Sequence, residues 1–215
     1  MRILIVAPNV AGIDAIVEVR RIQAGHDVSI LHGTVTAEDV YRAMSEKFYD
    51  SVYFATHGGP EGIELSNGAI MPPEDIAQAA RQKEVQGLFL AACNTGRVAS
   101  YCVNHGLRWA IGSEIKLPDA EAWKLAATFY GHQRNGHGKD FVGAYILADS
   151  GDGDYALHID PHYIQELQRA AAVTASLPHA AVPTLTRREA LIWGVGLLAA
   201  SGALTGTILA FARFF

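Results

Sequence analysis

The chain has 215 residues, half of them apolar and 18% charged, with a formal net charge of −5. That is room for one full domain and an appendage, and the acidic balance, with no basic patch or interleaved aromatics, excludes a surface built for nucleic acid. Two cysteines and no C-x-x-C exclude a cysteine-framed zinc site and fit a reducing, cytoplasmic setting for the globular part.

MRILIVAP opens the chain as a buried parallel strand, an apolar run stopped by Pro8 and Asn9. Helical spacing follows from about Gly12 to Gln23, with Gly25 as its stop. HDVSILHG reads as the second strand. Thr36 then caps a helix to Lys47, with Glu38 and Asp39 in its first turn. SVYFAT is the third strand and ends at His57. Beyond it, Asn67-Gly68 between IEL and AIM signals a hairpin.

Pro72 and Pro73 open a helix expected to reach about Glu84. QGLFLAA is the fourth strand and delivers Cys93 at its carboxyl end. Gly96 to Asn104 reads as helix, LRWAIGS as a fifth strand, and Asp119 to Arg134 as an amphipathic helix closed by Asn135-Gly136. Lys139 to Leu147 is a further helix, DSGDGD a turn, YALHID a short strand, and Pro161 to about Ala172 another helix. Strands and helices that alternate through short connections predict an α/β domain with a mostly parallel sheet covered on both faces. Its expected extent is residues 1–170.

Residues 171–189, rich in Ala, Thr and Pro, read as a linker. From Ala190 to Ala212 there is no charge, and at ~1.5 Å per residue such a helix covers ~34 Å, enough for a ~30 Å hydrocarbon core. The expectation is a C-terminal transmembrane helix, a single tail anchor over 190–212. Arg187 and Arg188 on the domain side favour a cytoplasmic N-terminal domain. Gly202 and Gly206 form a G-x-x-x-G at which two such helices can approach closely.

Ligands of open α/β sheets bind beyond the carboxyl ends of the strands. His57 and Cys93 both fall there, on strands consecutive in the parallel sheet, as a thiol nucleophile and its base require. Gly58 and Gly59 leave the backbone after His57 unshielded, so an N–H there and that of Cys93 can face a developing oxyanion. Asn94, Thr95 and Gly96 start a helix whose N-terminus would favour a thiolate. Nothing in the pattern calls for a metal or other cofactor. If a helix follows Cys93, Cys102 lies more than two turns away, too far for a disulfide.

An apolar strand ending in His-Gly (THG, 56–58), followed by one ending in Ala-Cys (AAC, 91–93), resembles the caspase-like cysteine peptidases, the group of caspases, separases and gingipains. The stretch GLRWAIGSEIKLPDAEAWKLAATFYGHQRNG brings it closest to the CHAT branch. The resemblance spans roughly Met1 to Ala148 and implies a caspase-like three-layer sandwich. It implies Cys93 as nucleophile, His57 as general base and later acid, and the backbone N–H groups of Gly58 and Cys93 as oxyanion hole. A protein or peptide substrate would be cleaved through an acyl-enzyme.

Members of the group usually cleave after one charged residue type. Glu114 or Asp119, if either lines the pocket, would select a basic residue before the scissile bond. Selection of Asp would need a cation, for which Arg97 is the nearest candidate. Small bacterial-type members often act as regulated effectors in defence or cell death. With no sensor module in this chain, control would come from an activating protein partner or from homo-oligomer assembly at the membrane. A non-catalytic caspase-like scaffold that recruits partners to the membrane is the alternative. A receiver- or flavodoxin-like domain is a further one, weakened by the lack of an acidic cluster after the first strand.

Overall fold

A computed structural model describes residues 1–13, 15–23, 25–116, 119–134, 141–148 and 154–176. The elements run β1 (Arg2–Pro8), α1 (Ala15–Gln23), β2 (Asp27–Gly33), α2 (Ala37–Glu46), β3 (Ser51–Ala55), β4 (Gly58–Gly59), β5 (Gly62–Glu64) and β6 (Ile70–Met71). They continue with α3 (Pro73–Arg81), β7 (Gly87–Ala91), α4 (Gly96–Asn104), β8 (Trp109–Ser113), α5 (Asp119–Arg134), α6 (Phe141–Ala148), β9 (Tyr155–Ile159) and α7 (Pro161–Ser176). Met1–Asp160 form one compact unit, and α7 belongs to a second.

Six strands make the central sheet in the order β2-β1-β3-β7-β8-β9. All run parallel except β9, which lies antiparallel to β8 at one edge. This is the expected α/β fold with a mostly parallel sheet. β1, β3, β7 and β8 are mostly apolar and buried because both their faces are covered, whereas the edge strands β2 and β9 are only partly buried.

Leu4, Val6, Val52, Phe54, Leu88, Leu90 and Ala110 point to one face, where they join Val40 and Met44 of α2, Ile76 and Ala80 of α3, and Val98 and Cys102 of α4. The alternate residues on the other face include Tyr53, Phe89 and Trp109, which meet Phe129 and Tyr130 of α5 and Phe141 of α6. The indole of Trp109 stacks on Phe141 at 5.2 Å between ring centroids. It also lies across Gly87, its register partner on β7, and a Cβ at Gly87 would overlap the ring.

Ser51 and Tyr130 share a hydrogen bond of 2.8 Å in this buried layer. Burial pushes the Tyr130 phenol far above its usual range, and the Ser51 hydroxyl only partly offsets it.

The expected hairpin forms between β5 and β6 around a 3₁₀ turn at Ser66–Gly68. Asn67 and Gly68 take φ of 64° and 74°, the left-handed pair that Asn-Gly accommodates. Ser66 ties this hairpin to the end of β2: its hydroxyl donates to the Gly33 carbonyl at 3.0 Å and accepts from Val35 N at 2.8 Å. On α2, Thr36 is the expected cap and forms a full capping box with Asp39. The Thr36 bonds hold the Asp39 carboxyl below its ordinary value, with Arg42 adding to them.

Two helix ends differ from expectation. α3 stops at Arg81 rather than near Glu84, because Val85 N bonds back to the Ala80 carbonyl and Glu84 turns left-handed at φ 53°. That is a Schellman closure made without the usual glycine, so no residue type announced it. α7 runs to Ser176, beyond the expected Ala172 and into the expected linker, its alanine-rich sequence being a good helix former. Among the described residues no helix is long and apolar enough to cross a membrane. The expected anchor over 190–212 lies outside those residues.

Candidate functional site

β3 and β7 are neighbours, and their register pairs Ala55 with Ala91. His57 and Cys93 each follow two residues beyond that pair, past the end of its strand. Adjacent strands are ~4.8 Å apart, which brings the imidazole and the thiol to one edge of the sheet. The chain leaves β1 for β2 on one side and returns to β3 on the other. The resulting crevice beyond the ends of β1 and β3 is the topological switch point of the sheet.

The loop after β1 uses that crevice. His57 Nε2 lies 2.7 Å from the backbone carbonyl of Ala11. A carbonyl oxygen only accepts, so Nε2 carries the hydrogen, and in the neutral ring the basic lone pair is then on Nδ1. Gly12, next in the loop, has φ +85°, a turn only glycine makes without strain.

Gly58 and Gly59 form β4, paired antiparallel with β5. Glu64 N donates to the His57 carbonyl at 2.8 Å, so by the alternation of an antiparallel ladder the Gly58 N–H points away from β5. The backbone at Gly58 is pressed against the Cys93 turn: an added Cβ would sit 2.6 Å from Thr95 Cγ2, 2.9 Å from Ala92 Cβ and 3.4 Å from the Cys93 carbonyl. Gly58 is therefore glycine for close approach.

Cys93 is partly exposed, and neither cysteine is in a disulfide. The next residue, Asn94, takes φ 53°, and its N–H donates to the Ile115 carbonyl at 3.0 Å. The turn thereby leans on the loop after β8, which carries Glu114. The Glu114 carboxylate packs directly on Gly96, the first residue of α4, and its Oε1 is 3.7 Å from His158 Nε2 on β9. A carboxylate is favourable at a helix N-terminus, so Glu114 occupies the end of α4 that the sequence reading reserved for a thiolate.

The CHAT domain family profile matches residues 9–141, 133 of the 215 positions. The chain belongs to the CHAT domain family. No curated protein matches it. The matched stretch takes in the Ala11 loop, His57, Cys93 and Glu114, and the family is associated with caspase-like cysteine peptidases.

Within this CHAT domain, His57, Gly58 and Cys93 come together at the carboxyl ends of β3 and β7. Glu114 lies at the same edge with its side chain 52% exposed, enough to meet a ligand. Asp119 opens α5, and its side chain lies outside the described residues. Arg97 is exposed on α4. Among the described residues, no three His, Cys, Asp or Glu side chains gather as metal ligands would.

The second cysteine of the CHAT domain differs in kind. Cys102 is fully buried on α4, and burial, aided by Glu74, pushes its thiol up to about 12. His158 shows the opposite shift for the same reason. Burial disfavours its charged form and lowers its pKa, while Glu114 pulls the other way.

In the sequence Ala11, Ser113 and His158 had no assigned role, and Thr95 figured only at the start of a helix. Gly12 after an apolar strand was the available signal for the first. The others depend on pairings between distant strands.

Proposed function

We propose that the protein is a cysteine endopeptidase in which His57 serves Cys93. The observation that carries this reading is the placement of His57 and Cys93 just beyond the paired ends of neighbouring strands β3 and β7, with His57 Nε2 held by the Ala11 carbonyl so that the ring's lone pair is on Nδ1. The Cys93 thiol gives its proton to Nδ1, and the sulfur attacks the scissile carbonyl carbon. The oxyanion is met by the N–H groups of Gly58 and Cys93. When the intermediate collapses, the imidazolium protonates the departing amine and a thioester remains. Water, deprotonated by Nδ1, then attacks the thioester, releasing the acid and returning the proton to sulfur.

Glu114 selects a basic residue before the scissile bond, an assignment supported by its half-exposed carboxylate beside Gly96. The uncharged run 190–212 anchors the chain in a membrane, with the N-terminal domain on the cytoplasmic side. In this reading the peptidase is a regulated effector of bacterial defence or cell death, controlled by a protein partner or by self-assembly at the membrane.

The test is intact-mass analysis of the full chain with peptidyl electrophiles ending in Arg, Lys, Asp or Leu. Cys93→Ala and His57→Ala are run alongside. One adduct on Cys93, formed best with Arg or Lys and lost in both variants, is the expected result. Labelling of Cys102 equal to that of Cys93 would sink the peptidase reading and favour a scaffold that recruits partners; no adduct at all would leave that scaffold or an enzyme that needs its partner.

A further inference from the structure

Parallel strands β7 and β8 pair only as far as Phe89 and Ile111, although β7 continues to Ala91 and β8 to Ser113. Thr95 fills the gap where they part, and it is completely buried. Its hydroxyl donates to the Ala92 carbonyl at 2.8 Å and accepts from the Ser113 N–H at 3.3 Å. This places one alcohol where a ladder hydrogen bond would have run. The backbone of Thr95 rests on Gly112, where an added Cβ would lie 2.7 Å from the Thr95 carbonyl oxygen. Its methyl group faces Gly58. The hydroxyl caps nothing on α4, despite its place at the helix start.

The carbonyl of Ala92 and the N–H of Cys93 belong to one planar, trans peptide unit and point in opposite directions. A hydrogen bond that holds the Ala92 oxygen therefore aims the Cys93 N–H. On the far side of the nucleophile, Asn94 N is held by the Ile115 carbonyl. The Ser113 hydroxyl fixes Ile115 in turn, donating to its carbonyl at 2.7 Å and accepting from its N–H at 3.2 Å. Both peptide units flanking Cys93 are thus fastened to the end of β8.

We infer that Thr95 is the positioning residue of the oxyanion site: its hydroxyl orients the Ala92–Cys93 peptide plane, and its methyl sets the distance to Gly58. One side chain governs both expected N–H donors. The inference rests on the peptidase reading for its catalytic consequence, but not for its effect on the turn.

Two pairs of full-length variants isolate the hydroxyl: wild type against Thr95→Val, and Thr95→Ser against Thr95→Ala. Three quantities are measured: acylation by a peptide ester, alkylation of Cys93 by iodoacetamide, and hydrogen exchange at the amides of residues 93–95. Alkylation displaces iodide and forms no carbonyl oxyanion, so it does not need the N–H donors. The expected loss of acylation in Thr95→Val and Thr95→Ala is about 10²-fold, that of removing one oxyanion donor. Alkylation stays unchanged, exchange at Asn94 quickens, and Thr95→Ser, which keeps the hydroxyl but not the methyl, acylates faster than Thr95→Ala and slower than wild type.

Acylation at the wild-type rate in Thr95→Val overturns the inference. So does a proportional loss of acylation and alkylation, which reports unfolding, or a Thr95→Ser as poor as Thr95→Ala. If Thr95→Val does not fold, the Ser/Ala pair decides by the same criteria. A wild type that never acylates removes the catalytic readout. The exchange result then decides alone: faster exchange in the variants lacking the hydroxyl upholds Thr95 as the turn's anchor, and unchanged exchange ends that role too.

Discussion

The imidazole of His57 is tied by its Nε2 atom to the carbonyl oxygen of Ala11, 2.7 Å away and 46 residues earlier in the chain. Substituting Ala11 leaves that carbonyl in place, but Gly12 controls its direction through φ +85°, and no heavy atom lies within 4 Å of an added Cβ there. The cost of Gly12→Val is then backbone strain of about 1–2 kcal/mol, relieved by moving the Ala11 carbonyl. Ester hydrolysis should fall about tenfold, the rate equivalent of 1.4 kcal/mol, with little change in substrate affinity. A kcat unchanged in Gly12→Val would mean that His57 is oriented by something else.

The two thiols should differ in reactivity. At pH 8 a thiol with a pKa of about 12 is ~10⁻⁴ ionised, so buried Cys102 is silent towards a disulfide reagent. Native protein should release one equivalent of the reporter thiolate, from Cys93, and denatured protein two. Two equivalents from native protein would contradict the burial of α4.

His158 makes stability depend on pH in a definite direction. Its pKa is lowered from 6.5 by burial, so the folded state binds fewer protons than the unfolded state between the folded pKa and 6.5. The stability it contributes is complete above about pH 6.5 and is lost as pH falls from there through the folded pKa. Melting temperatures from pH 8 to pH 5 should drop less steeply in His158→Gln than in wild type. Glu114→Gln removes the carboxylate that opposes the shift, and should carry the loss to lower pH. Parallel curves for wild type and His158→Gln would refute the assignment.

Gly87 lies under the indole of Trp109. Gly87→Ala drives a methyl into a ring that is 1% exposed and stacked on Phe141, so the sheet or the ring must shift. Overpacking of this kind costs about 1–3 kcal/mol, and urea unfolding should show it as a lower midpoint at constant slope. Trp109→Phe in the same background should recover part of the loss.

What was legible in the sequence was what side-chain type encodes. β1, β3 and β7 are covered on both faces, so each appears as a nearly unbroken apolar run, and His57 and Cys93 follow two residues beyond the ends of β3 and β7. β4 was not legible, because Gly58 and Gly59 carry no side-chain signal and the strand exists only through its pairing with β5. Ala11 acts through its backbone carbonyl, which every residue has. Thr95 before a helix suggests a cap, yet the parting of β7 and β8 offers its hydroxyl stronger claims in Ala92 and Ser113. Glu114 and Asp119 were equal candidates in sequence. The contacts of Glu114 with Gly96 and His158 join separate elements, so no local residue pattern announced them.

The parting of β7 and β8 also bears on when the protein acquires its chemistry. His57 and Cys93 are both present once the ribosome has passed Cys93, but Ser113 and Ile115, which fasten the nucleophile's turn, come later. A nascent or truncated chain ending before β8 has the two side chains of the pair without the frame that aims them. Under the proposed peptidase function, an unfinished polypeptide would hold the reacting pair without the frame its chemistry needs.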